Sequence, residues 1–125
     1  MRLVILFLLL ASQCIGQEIA FEDIEIDEKG FIVLDFGQVE QKTKPKVSAT
    51  LVNVGDKPLI ISRFTTSCGC TVPYITERIL EPGGKTTIQI SWIARLGDFR
   101  SSGKIESNAT NHSMLWIRLE GEGIE

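Results

Sequence analysis

The sequence predicts an all-β domain, an antiparallel β-sandwich of about seven strands, carried behind an N-terminal signal peptide. Apolar residues recur at every second position in short runs, as in Ile88, Ile90 and Trp92 alternating with Gln89 and Ser91. Clusters of Gly, Pro, Asn and Asp break these runs at short, regular spacing. Helical periodicity is scarce throughout. Short strands with turns and no helices between them favour two sheets packed face to face, and pattern alone leaves a closed barrel of similar strand count open.

In chain order, Met1-Arg2 is followed by an unbroken apolar run from Leu3 to Ala11, then small residues, then Gln17-Glu18. A membrane-spanning helix needs roughly 20 apolar residues. The shorter run fits a signal-peptide core, with residues 1–16 removed and Gln17 left as the N-terminus. The alternatives are lipid attachment at Cys14, for which the preceding Gln13 is larger than usual, and a retained anchor. The expected address is the periplasm or the extracellular space, with lipid anchoring through Cys14 in the second case. No later apolar run approaches spanning length, so the mature chain is expected to carry no transmembrane helix.

Residues 17–30 read as an acidic, loosely attached arm in which Ile24 and Ile26 offer an edge strand. The domain is expected over residues 31–125. Phe31–Phe36 and Leu59–Phe64 are nearly continuous apolar runs, as central strands would be, whereas Val47, Ala49 and Leu51 alternate with polar neighbours. Val54-Gly55-Asp56-Lys57-Pro58 reads as a hairpin and Glu81-Pro82-Gly83-Gly84 as a second turn. Leu96-Gly97-Asp98 and Asn108–Ser113 are the later turns, with Gly103–Asn108 the weakest strand between them. Leu115, Ile117 and Leu119 share a face of the last strand. Pro45 and Pro73 fit strand starts or edges, where a missing N–H does no harm.

At 125 residues, 43% hydrophobic and 23% charged, the chain fits one ordinary domain. The formal net charge of −3, with no basic cluster, argues against a nucleic-acid partner, which needs a basic face to displace counterions.

A series of motifs is more specific than the alternation. Asp35-Phe36-Gly37-Gln38-Val39 is followed by Asn53-Val54-Gly55-Asp56-Lys57-Pro58-Leu59-Ile60-Ile61, then Ser67-Cys68-Gly69-Cys70-Thr71-Val72-Pro73, then Glu81-Pro82-Gly83-Gly84. A late Ser107-Asn108 and a closing Leu119-Glu120-Gly121 complete the order. Together they resemble the bacterial DUF1573 family, exported domains of unknown function, over about Phe31 to Gly123. The resemblance implies an immunoglobulin-like sandwich similar to the ASH and major sperm protein group, whose members mostly act as interaction modules. It implies no known reaction. Thr50-Leu51-Val52 departs from the pattern, since an aromatic often stands before the Asn.

Cys68-Gly69-Cys70 is the constellation with chemical potential. A disulfide is one state: residues i and i+2 of a strand share a face near the upper limit of disulfide geometry, and Gly69 permits a tighter backbone. A ring that small stabilises little by loop closure. Two buried, inert thiols are the second state. The third is a soft-metal site for Cu(I) or Zn²⁺, with His112 and Met114 as helpers that nothing in the sequence places nearby. A thioredoxin-like catalyst fits poorly, since its motif has two intervening residues and opens a helix. No cofactor is expected, and no hydrolase, phosphate-loop or zinc-protease string occurs.

Asn108-Ala109-Thr110 and Asn111-His112-Ser113 match the glycosylation acceptor pattern, but these residue types also favour turns for conformational reasons. Trp92 shares a face with Ile88 and Ile90 and belongs in the core. Trp116 faces opposite to Leu115 and Ile117. With Arg118 it is a candidate interaction surface, or else it packs under a loop. The expected function is a non-enzymatic binding or scaffold module for an unknown protein or cell-envelope component. The alternative is a redox-active or Cu(I)-binding protein built on Cys68 and Cys70.

Overall fold

A computed structural model describes residues 15–125. The expected signal segment, including Cys14, therefore lies almost wholly outside the described residues. Nine strands form: β1 (Ile19–Phe21), β2 (Phe31–Glu40), β3 (Lys46–Asn53), β4 (Leu59–Thr66), β5 (Thr71–Ile75), β6 (Ile79–Leu80), β7 (Lys85–Trp92), β8 (Gly97–Ser107) and β9 (Met114–Ile124). They build a four-stranded sheet in the order β1-β3-β7-β5 and a five-stranded sheet in the order β2-β9-β8-β4-β6. No helix long and apolar enough to cross a membrane occurs among the described residues.

The period-two pattern becomes burial directly. Ala49 and Leu51 of β3 and Ile88, Ile90 and Trp92 of β7 face Ile32, Leu34 and Phe36 of β2, Ile105 of β8, and Leu115, Ile117 and Leu119 of β9. Each inward position is at most 9% exposed, so the apolar faces fill one continuous core between the layers.

Several expectations are corrected. The described residues form nine strands rather than about seven, because the short β1 and β6 extend the sheets. The sandwich is not wholly antiparallel: β2 runs parallel to β9, pairing Phe31 with Trp116 and Leu34 with Leu119. β2 is also an edge strand and not a central one. Its odd residues face outward, with Val33 exposed, so its apolar run reflects two different surroundings. Residues 54–58 are not a hairpin, since β3 and β4 lie in different sheets and the turn carries the chain from one to the other.

That crossover is organised by Asn53, which is fully buried. Its Nδ2 donates to the carbonyls of Lys57 at 2.7 Å and Leu80 at 2.9 Å, and its Oδ1 accepts the Gly55 N–H at 3.0 Å. The second turn behaves as expected. Gly84 N–H bonds to the Glu81 carbonyl at 2.7 Å, and Gly83 has a φ of 82°, the type II arrangement that Pro then Gly favours.

The N-terminal arm is tied down, not loose. The edge strand is Ile19–Phe21, whose outer residues are 1% and 8% exposed, whereas Ile24 and Ile26 only pack half-buried against the core. Asn111 clamps this strand, accepting Ile19 N–H at 3.0 Å and donating to the Ile19 carbonyl at 2.8 Å. Asn108 likewise accepts Ile60 N–H at 2.8 Å, so both asparagines do structural work in the hairpin that joins β8 and β9. Gly97 opens β8 instead of centring a turn, and the weak-looking Gly103–Asn108 stretch is the end of one of the longest strands. Its first half reads as polar because Phe99 is the only large apolar side chain there.

Candidate functional site

The Ser-Cys-Gly-Cys-Thr string forms the turn between β4 and β5, where the chain again changes sheet. Ser67 fixes one side: its N–H reaches the Ser102 carbonyl at 2.9 Å, and its hydroxyl lies 3.1 Å from that of Ser101. Thr71 fixes the other, its hydroxyl 2.9 Å from the Cys68 carbonyl and 2.8 Å from the Thr66 hydroxyl. Within this stapled turn Cys68 and Cys70 are joined as a disulfide, with Cα atoms 5.2 Å apart. Gly69 has no left-handed φ, and a Cβ there would meet open space, so the backbone does not require glycine as expected.

Beside the disulfide lies an open hollow of about 460 Å³ lined by both cysteines, Trp92, Arg95, Leu96, Asp98 and Phe99. Its floor is aromatic. Trp92 stacks on Phe99 with centroids 4.5 Å apart, and Phe36 closes the group 5.4 Å from Trp92. The floor exists because Gly121 pairs with Phe99: a Cβ there would stand 3.1 Å from Phe36 Cβ and 3.2 Å from the Trp92 ring. Gly123 has a similar role, since a Cβ would collide with the Arg95 carbonyl.

The rim is held just as firmly. Ile93 N–H bonds to the Cys70 carbonyl, Ala94 N–H to Thr43, and Lys42 N–H to the Ala94 carbonyl, at 2.8 to 2.9 Å. Arg95 and Leu96 therefore project from a pinned loop, with Leu96 57% exposed. Sequence reasoning passed over Arg95, Leu96, Asp98 and Phe99 as site residues. The alternating Gly121 and Gly123 were the available signal that something packs close against the last strand.

His112 and Met114 are not brought to the cysteines. His112 sits in the hairpin loop between β8 and β9, its Nδ1 against Gly30, and lines a separate hollow with Ile19, Phe21 and Ile24. Along β8 the hairpin end is five residues from Ser102, the residue bonded to Ser67, or about 16 Å of strand. Met114 pairs with Glu106 near that same end.

Trp116 and Arg118 stand on the outer face of the five-stranded sheet. Trp116 is 38% exposed and stacks on its parallel-strand partner Phe31 with centroids 6.4 Å apart. Lys104 Nζ lies 5.9 Å from the Trp116 ring, and the Arg118 guanidinium 5.7 Å from the Phe31 ring. Thr65, Thr66, Ser67 and Ser102 border a shallow pocket of about 200 Å³ against Trp116, floored by the buried Gly103. No loop is needed to explain Trp116, because its packing partners lie within the sheet face itself.

Comparison with known proteins gives a family and a fold. The profile described as "Protein of unknown function (DUF1573)" matches residues 24–122. No curated protein matches the sequence. Among solved structures, a protein of unknown function from Porphyromonas gingivalis W83 superposes with a TM-score of 0.69 at 19% identity, over 86% of this chain and 47% of that one. This chain thus spans about half the length of that protein. The ASH/PapD-like domain 7 of human CEP192 gives 0.60 at 18% identity, covering 84% and 87% of the two chains. The YadV chaperone gives 0.55 at 13% identity, covering 86% of this chain and 53% of the chaperone.

Proposed function

The chain belongs to the DUF1573 family of proteins of unknown function, and from that premise we propose that it is an exported binding or scaffold module, which engages a protein or cell-envelope component through the outer face of its five-stranded sheet by contact and without catalysis at that face. The observation that carries this reading is the exposed Trp116, stacked on Phe31 and flanked by Lys104 and Arg118 on the outer face of that sheet. Large aromatic rings with neighbouring cations supply contact area at little entropic cost, the composition of interface hot spots. The likeness to an ASH domain and to a chaperone supports a binding use of the fold, and the fold alone does not choose the partner.

Strand addition at β5 is a weaker route. β5 is an edge of its sheet, but Pro73 offers no N–H and Thr71 N–H is already bonded to the Cys68 carbonyl. Export through the N-terminal signal, with or without lipid at Cys14, places the module where an envelope component is accessible.

The test is a photo-crosslinking residue placed at Val33 or Ser102, the two neighbours of Arg118 across the outer face. In cells of the native host it should capture one discrete envelope partner. Trp116→Ala should abolish the capture, and Cys68→Ser combined with Cys70→Ser should leave it nearly unchanged. Capture that survives Trp116→Ala, or that depends on the cysteines, overturns the assignment of this face.

A further inference from the structure

We propose that Cys68 and Cys70 form a thiol–disulfide exchange site for cysteine-bearing segments of other exported polypeptides, with Cys68 as the sulfur that forms the mixed disulfide and Cys70 as the one that resolves it. This stands apart from the binding face around Trp116 and would hold or fail independently of it.

Stability does not account for this disulfide. It closes a loop of sequence separation 2, where the gain from constraining the unfolded chain is smallest. The turn around it is already held by Ser67 and Thr71, whose hydrogen bonds do not involve sulfur. The bond can therefore open while the turn keeps its shape.

The two sulfurs are not equivalent. Cys70 packs against the core, while Cys68 lies outside that cluster. The Cys70 N–H points at Cys68 Sγ from 3.2 Å, so negative charge appearing on Cys68 meets a backbone donor. Arg95 lines the same hollow and adds a cation, and Asp98 is the one opposing charge on its rim. The half-buried Phe99 ring, backed by the buried Trp92 and with exposed Leu96 beside it, offers apolar surface to the residues flanking an incoming cysteine.

The exchange balances without any further reagent. A thiolate of the incoming polypeptide attacks Cys68 Sγ. The Cys68–Cys70 bond breaks, and its electron pair leaves on Cys70 Sγ, which takes up a proton. A second thiolate of the same polypeptide then attacks its own sulfur in the mixed disulfide. The bond to Cys68 breaks, and the pair of electrons settles on Cys68 Sγ beside the Cys70 N–H, to be protonated in turn. The polypeptide gains a disulfide, and the cysteine pair gains two electrons and two protons. In reverse, the Cys68 thiolate opens a wrongly paired disulfide and Cys70 releases it.

Folded, reduced Cys70→Ser and Cys68→Ser variants of the mature domain, mixed with oxidised glutathione and followed by intact mass, test the assignment. Cys70→Ser should take up one glutathione at least about tenfold faster than Cys68→Ser and faster than its own chain unfolded in denaturant. Reduced wild type should end as the intramolecular disulfide with no glutathione retained. Equal rates in the two variants, or uptake no faster than by the unfolded chain, overturn the proposal. The order is also readable without substitution: limited alkylation of the reduced wild type should label Cys68 before Cys70, and the opposite order overturns it.

Discussion

Replacing Asn53 by Ala removes the side chain that binds the crossover from β3 to β4 together. Three hydrogen bonds disappear, to the carbonyls of Lys57 and Leu80 and from the Gly55 N–H. The backbone bonds of Asn53 to Gly83 and Gly84 survive, since alanine keeps them. The Leu80 carbonyl is buried and gains no water, which costs about 2 kcal/mol, while the other two groups lie nearer solvent and cost about 1 kcal/mol each. The total of about 4 kcal/mol is a large share of a domain stability of about 5–15 kcal/mol. Urea unfolding followed by circular dichroism should show the midpoint falling by about 2–4 M at a slope of about 1–2 kcal/mol per M, with the slope unchanged. Asn53→Asp should fall at least as far at neutral pH, because it turns a carboxylate oxygen toward two carbonyls. A midpoint shift below about 0.5 M for alanine, or an aspartate variant as stable as wild type, would refute the reasoning.

Other substitutions test neighbouring parts of the account. Gly55→Ala places a Cβ inside the Gly16 carbonyl and the Glu18 nitrogen, so it should detach residues 15–21, withdraw Ile19 and Phe21 from the core and speed amide exchange at Ile19, with exchange at Ile90 and Ile117 unchanged. Asn111→Ala removes both bonds to Ile19 and should cost about 2 kcal/mol, read as faster exchange in β1 and a lower melting temperature. Gly121→Val drives a side chain into Phe36 and Trp92. It should cost about 1–3 kcal/mol and change the near-ultraviolet dichroism of the stacked Trp92 and Phe99.

The parts of the fold that the sequence announces are those in which one strand buries one face. Ile88, Ile90 and Trp92 carry their own evidence, as do Leu115, Ile117 and Leu119, because period two maps onto burial without reference to any partner. What stayed hidden depends on partners far along the chain. Parallel pairing of β2 with β9 joins residues more than 80 positions apart, and nothing local to Phe31–Glu40 reports it. The start of β8 looked like a turn because its burial comes from a single ring, Phe99, resting on a glycine of another strand. The crossover at Val54–Pro58 has hairpin chemistry in its residues, and only the buried Asn53 reaching to Leu80 sends the chain into the other sheet.

The candidate site shows the same division. The cysteine pair stands out as a string, and its staples Ser67 and Thr71 are adjacent in sequence. The hollow beside it is assembled from β7, the loop after it and β8, so Arg95, Leu96 and Asp98 acquire meaning only once the sheets are packed. Trp116 was visible as the odd residue on its strand, but its companions Phe31 and Lys104 come from strands on either side.

Fluorescence quenching of Trp116 in the presence of its partner tests the binding face most directly. Iodide should quench Trp116, isolated as the difference between wild type and Trp116→Phe, far more than the buried Trp92. Adding the partner captured by crosslinking should shield Trp116 and leave Trp92 as it was. A saturated complex in which Trp116 stays as open to iodide as in the free domain would contradict the account.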